Sequence, residues 1–174
     1  ITFAFGSALP VDNNGSALPG SAPQTEELSA DGITPVIYDT DGTITDFYLG
    51  SGASSSVLGF AGPQWTSGTT IIEGQAVMNG LFVDGLGGVP DVSDTTFQGV
   101  FTHEIGHMLN LDHTQFNDHL VQQYTTASIN YAPFPTTYPI VSDANMASPE
   151  LDDQVWLANL YPSASFTSNT YAID

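Results

Sequence analysis

The chain has 174 residues, with 19 Asp and Glu, no Lys or Arg, and no cysteine, giving a formal charge of −19. That is one domain's worth of sequence, and its charge makes nucleic acid and anionic membrane poor partners while favouring bound cations or a cationic partner. The composition excludes disulfides and all but excludes side-chain salt bridges, and no apolar run reaches the roughly 18 residues of a membrane span.

In chain order, Ile1 to Phe5 alternates and reads as a strand already under way. Residues 6 to 32, rich in Gly, Pro, Ser and Asn, read as a long loop that contains a glycosylation sequon at Asn14. The runs Val36 to Tyr38 and Thr43 to Leu49 flank Asp41-Gly42 and predict a hairpin, because Asp-Gly between β-rich runs suits a tight two-residue turn. The same stretch carries Asp39, Asp41 and Asp46, whose alternating carboxylates make them calcium candidates beside the hairpin reading. Ser54 to Phe60 and Thr69 to Asn79 are further strands, with a turn expected at Gly62-Pro63. A Gly-rich loop follows over residues 80 to 92.

Ser93 or Asp94 then caps a helix whose apolar positions are Phe97, Val100, Phe101, Ile105, Met108 and Leu109. Asn110 suits the left-handed conformation that ends helices. Residues 114 to 147 read as irregular, with Pro133, Pro135 and Pro139 among them. A last helix begins with Ser148 as cap, Pro149 in its first turn and Glu150, Asp152 and Asp153 at its positive end, and stops before Pro162. Residues 163 to 174 read as a closing strand or a linker.

The chemistry concentrates at residues 103 to 113, His-Glu-Ile-Gly-His-Met-Leu-Asn-Leu-Asp-His. His103 and His107 stand four apart, on one face of a helix. Together they can reach one metal, with Glu104 beside them as general base. His113 follows after a gap long enough for the chain to turn back to the same ion. Asp112 can orient an imidazole or cap the turn, and His119 reads as a loop residue.

This stretch resembles the metzincin zinc proteases, whose signature is HExxHxxGxxH, with Asn110 at the glycine position. The resemblance implies that His103, His107 and His113 bind one catalytic zinc and that Glu104 is the base. The C-terminal part is similar to the matrixins and their bacterial relatives, in which a methionine turn beneath the zinc is followed by Tyr-Pro and then by a short helix. Here Pro135-Thr-Thr-Tyr-Pro139 and Leu151 to Tyr161 stand at those places. Thr137 therefore takes the methionine position, with Met146 as its rival and Tyr138 as a hydroxyl near the developing oxyanion.

The resemblance implies an α+β fold. A twisted mixed sheet would pack on the active-site helix, with a small irregular C-terminal subdomain ending in a helix. A catalytic domain would span residues 1 to 162 and a tail residues 163 to 174. The implied activity is that of a secreted, extracellular, bacterial-type endopeptidase hydrolysing peptide bonds through a metal-bound water. Its protein or peptide substrate would lie along Thr69 to Asn79 as an edge strand. The family's second, structural zinc is not expected, because no His stands outside residues 103 to 119. The family's first helix is missing from the sequence, and a chain without Lys or Arg suits a protease-resistant piece of a longer protein, with further domains or self-assembly. The alternative is a non-enzymatic extracellular structural or assembly module that keeps the zinc site as a staple.

Overall fold

The computed structural model describes residue 32, residues 34 to 114, 136 to 138 and 144 to 162. The expected strand at Ile1 to Phe5, the Asn14 sequon, His119, Pro133, Pro135, Pro139 and the tail from 163 lie outside them. Among the described residues the fold is α+β: a mixed three-stranded sheet with three helices. No helix among the described residues is long and apolar enough to cross a membrane.

Strand β1, Val36–Asp39, alternates exposed and buried side chains as a half-buried strand should. The hairpin expected after it does not form. Thr43–Leu49 is a helix, α1, despite its β-branched and aromatic composition. Gly42 takes the left-handed conformation, φ 76°, that the Asp-Gly signal demands, but it leads into a helical turn. The Asp41 carboxylate accepts from the Thr43 N–H at 3.0 Å, and Asp39 accepts from both the Thr45 N–H and its hydroxyl. Local side-chain bonds of this kind override strand propensity. Ile44 is then buried and Tyr48, one turn on, packs with Ile37, Val77 and Phe60 in the sheet core.

Strands β2, Gly59–Ser67, and β3, Thr70–Asn79, form an antiparallel pair, and β3 also pairs with β1 in parallel. The expected strand at Ser54 begins later, because Ala53–Ser55 is a 3-10 turn. The turn lies at Gly68, φ 61°, between Ser67 and Thr70, not at Gly62-Pro63. Pro63 sits inside β2 beside a register shift; an edge strand tolerates a missing N–H there.

The sheet order β1-β3-β2 corrects a second expectation: Thr69 to Asn79 is the central strand, paired on both sides, and among the described residues β2 is the edge next to the helix that carries His103 and His107. From Glu73 to Asn79 every residue but Gln75 is buried, the pattern of a strand covered on both faces.

Helix α2, Asp94–Met108, starts at Ser93, whose hydroxyl accepts from the Thr96 N–H at 3.1 Å. The last helix, α3, is Leu151–Leu160 with Glu150 at its cap, two residues beyond the expected Ser148. The cap moves because the Asp153 carboxylate takes the Glu150 N–H at 2.9 Å. The carbonyl of Ser148 instead accepts from the Thr136 hydroxyl at 2.8 Å.

Candidate metal centre

The inner face of α2 carries Gly99, Val100, His103, Glu104, Gly106 and Met108. Of the expected apolar positions, Val100 and Met108 are buried and Phe101 is exposed; His103 and Glu104 take the core-facing places between them. Burying an imidazole and a carboxylate where leucines would otherwise pack is costly.

The helix ends in a Schellman turn. The Leu111 N–H reaches the Gly106 carbonyl at 2.9 Å, the Asn110 N–H reaches the His107 carbonyl at 2.8 Å, and Asn110 has φ 65°. This reversal does two things. It aims the Leu111 carbonyl at the His107 ring, 2.7 Å from Nδ1, and it returns His113 to the helix. His103 Nδ1 lies 2.6 Å from the Thr136 carbonyl.

These two contacts fix the tautomers. A carbonyl only accepts, so each Nδ1 carries the proton and each neutral ring keeps its lone pair on Nε2. Those Nε2 atoms stand 2.9 Å apart, and His113 Nε2 is 3.3 Å from His103 Nε2. With no proton left to share, the His103 and His107 lone pairs face each other and call for a cation between them. Two imidazole nitrogens at zinc bond length and tetrahedral angle would lie roughly 3.3 Å apart, which the His103–His113 contact matches at 3.3 Å and the His103–His107 contact undershoots at 2.9 Å. Among the described residues, His103, His107 and His113 are the group whose ligand atoms converge.

Burial holds His103 in its neutral form, with a pKa down to about 4. Burial also lowers His113, aided by the neighbouring His107, while Asp112 acts in the opposite direction. The Asp112 carboxylate accepts from the His113 N–H at 2.7 Å, which is the turn-capping role.

Glu104 is only 4 % exposed, and its Oε2 has no hydrogen-bond partner. Desolvation pushes its pKa up to about 8. The carboxylate lies against the start of the edge strand: a Cβ on Gly59 would sit 3.0 Å from Glu104 Cγ and 3.2 Å from Oε1. Gly59 is thus the residue that lets β2 approach Glu104.

Below the histidines, Thr137 faces the helix at Gly106, where an added Cβ would lie 3.1 Å from Thr137 Cγ2. Met146, the rival for that place, is fully buried in the 3-10 turn Ala144–Ala147, which packs on α2 further up, where the Thr102 hydroxyl donates to the Ala147 carbonyl at 2.9 Å. Tyr138 is buried as well.

Asp39, Asp41 and Asp46 are not brought together as a metal group. Asp46 accepts from the Gly52 and Ser54 N–H groups, which hold its carboxyl below the usual range. With Asp39 and Asp41 bonded to Thr45 and Thr43, each carboxylate shapes a turn.

The spacing in the sequence points to the imidazoles that converge and to Glu104 beside them, but not to their supports. The carbonyls of Thr136 and Leu111 leave no trace in residue identity, although the Leu111 carbonyl follows from a Schellman turn centred on Asn110. Gly59 and Gly106 were visible only as glycines. Comparisons with protein-family models, curated proteins and solved structures find no match for the chain.

Proposed function

We propose that the chain is a secreted zinc-dependent endopeptidase of metzincin type. The observation that carries this reading is the pairing of three convergent imidazole nitrogens with a buried, partnerless carboxylate on the same helix. A purely structural ion needs the first and has no use for the second.

A zinc ion at this site would be held by His103, His107 and His113, and would supply the acidified water and the polarised carbonyl that hydrolysis needs. His103 and His107 would offer Nε2, each ring being steadied by a backbone carbonyl at Nδ1. Glu104 supplies the base. Its raised pKa reflects burial without a cation, and a neighbouring positive charge favours the ionised form. The free Oε2 then accepts a proton from the attacking water and returns it to the leaving amine. The chain has no Lys or Arg to share the oxyanion's charge. Tyr138 lies in the turn beside Thr137, and its hydroxyl would share that charge.

The substrate class follows from β2. This strand is the sheet edge beside α2, and its first residue touches Glu104. An extended peptide added along that edge would run past the base, with backbone pairing providing affinity.

The test is cleavage of an unfolded polypeptide by the zinc-loaded chain. Cleavage that stops with a chelator and returns with zinc supports the reading. A chain that binds zinc stoichiometrically and cleaves nothing supports the structural module instead.

A further inference from the structure

The turn at Thr136 to Tyr138 joins segments distant in sequence, and Thr137 is where they meet. The Asp153 carboxylate on α3 is 3 % exposed and takes four hydrogen bonds, so neither of its oxygens is idle. Oδ2 accepts from the N–H groups of Thr136 and Glu150, at 2.8 and 2.9 Å. Oδ1 accepts from the Thr137 N–H at 3.2 Å and from the Thr137 hydroxyl at 2.9 Å.

A carboxylate only accepts, so the Thr137 hydroxyl spends its single proton on Asp153. In its 2.9 Å contact with the Thr114 hydroxyl it is therefore the acceptor, and it takes the Thr114 proton at shorter range than the competing Asp152 carboxylate at 3.4 Å. The Thr114 N–H also donates to the Thr137 carbonyl at 3.2 Å. Thr114 directly follows His113, which is exposed and has left the helix. Thr136, whose carbonyl steadies His103, directly precedes Thr137.

We infer that Thr137 is a positioning residue: its hydroxyl, bonded to Asp153 and Thr114 at once, holds the segments carrying His103 and His113 at metal-binding distance. The inference rests on the zinc reading above and concerns how this chain builds the site with a hydroxyl where the family resemblance puts a methionine. An apolar side chain could fill the space under Gly106. It could neither donate to Asp153 nor accept from Thr114.

The test uses the full 174-residue chain as wild type, Thr137→Val and Thr137→Ser. Three quantities are measured: zinc affinity by competition with a chromophoric chelator, the visible absorption of the cobalt(II) form, and melting of the metal-free protein. Valine keeps the shape and loses the hydroxyl. Its zinc affinity is expected to fall about tenfold or more, the usual effect of removing a support behind a metal ligand. Its cobalt bands should shift. Serine keeps the hydroxyl and is expected to restore most of the affinity and the wild-type bands.

If the valine variant fails to fold, Thr114→Val, which leaves all four bonds to Asp153 in place, decides the matter and is expected to weaken zinc in the same direction by less. Wild-type affinity and spectrum in the valine variants, or a serine variant no better than valine, would overturn the inference. A wild-type chain that takes up no metal would overturn the zinc reading and this one with it. Metal binding that depends on Thr137 in a chain without peptidase activity would support this inference and overturn the proposed activity alone.

Discussion

Two parts of the molecule carry metal-ligand residues at close spacing, and they end differently. Around β1 and α1, Asp39, Asp41 and Asp46 accept N–H and hydroxyl bonds from the backbone and side chains that follow them. Along α2, His103 and His107 direct their N–H groups outward to carbonyls, so their lone pairs converge on one point. The contrast teaches that ligand-type residues converge as a candidate metal group only when local hydrogen bonding aims their lone pairs together. The carboxylates meet N–H and hydroxyl donors around the Gly-rich turn, although Asp39 Oδ1 is buried without a partner, and the imidazoles above the Schellman turn meet carbonyls.

The sharpest way to break this contrast is at the base. Glu104→Ala should keep zinc, since it removes no ligand, while hydrolysis falls by roughly 10²–10⁴-fold, the usual contribution of a general base. Zinc content and cleavage rate measured on the same sample check this, and loss of zinc from the variant would move Glu104 into the ligand set.

The metal-free protein should show what the site costs in stability. Folded Glu104 holds its proton up to about pH 8, whereas the unfolded residue releases it near 4.5, so the fold weakens as pH rises through that window. Glu104→Gln should therefore stabilise the metal-free chain by on the order of 3 kcal/mol at pH 8, with the gain fading toward pH 4.5. His103 acts in the opposite direction: the unfolded imidazole takes a proton near pH 6.5 and the folded one only near 4, so stability falls as pH drops between them. Chemical denaturation across this range reads both slopes.

The aspartate region should respond in stability alone. Asp39 is 1 % exposed and serves Thr45 twice, so Asp39→Ala should cost about 2 kcal/mol. It should leave zinc affinity unchanged, and millimolar calcium should not raise the melting temperature of the wild type. Calcium-dependent stabilisation that disappears in Asp39→Ala would mean that the aspartates share an ion after all.

The smallest effect belongs to the helix end. Asn110 at φ 65° replaced by Ala should destabilise by about 1 kcal/mol, and Gly should be tolerated. Thermal melting of both variants checks this.

Much of the metal region was legible in residue type. Ser93 marked where α2 starts, Asn110 marked its end, and the His-Glu spacing marked its working face. Elsewhere the same kinds of signal misled. Asp41-Gly42 did force a left-handed turn, but Asp39 and Asp41 used that turn to start α1, and a hairpin signal cannot distinguish the two when the bonds come from side chains. The near-continuous burial of β3 is the mark of a central strand, yet Thr69 to Asn79 was expected at the edge, because strand order depends on which partners arrive on either side. The turn at Thr137 was placed by the resemblance of Pro135 to Pro139 to the matrixin methionine turn. What the threonine does there depends on Asp153 and Thr114, distant in sequence, and only the fold brings them together.

X-ray absorption at the zinc edge of the loaded chain tests the central claim most directly, by counting what surrounds the ion. The account predicts three imidazole nitrogens and one exchangeable oxygen, all within roughly 2.0–2.2 Å, with an imidazole signal that diminishes in a His113→Ala variant. A fourth protein ligand, or a site unchanged by loss of His113, would contradict it.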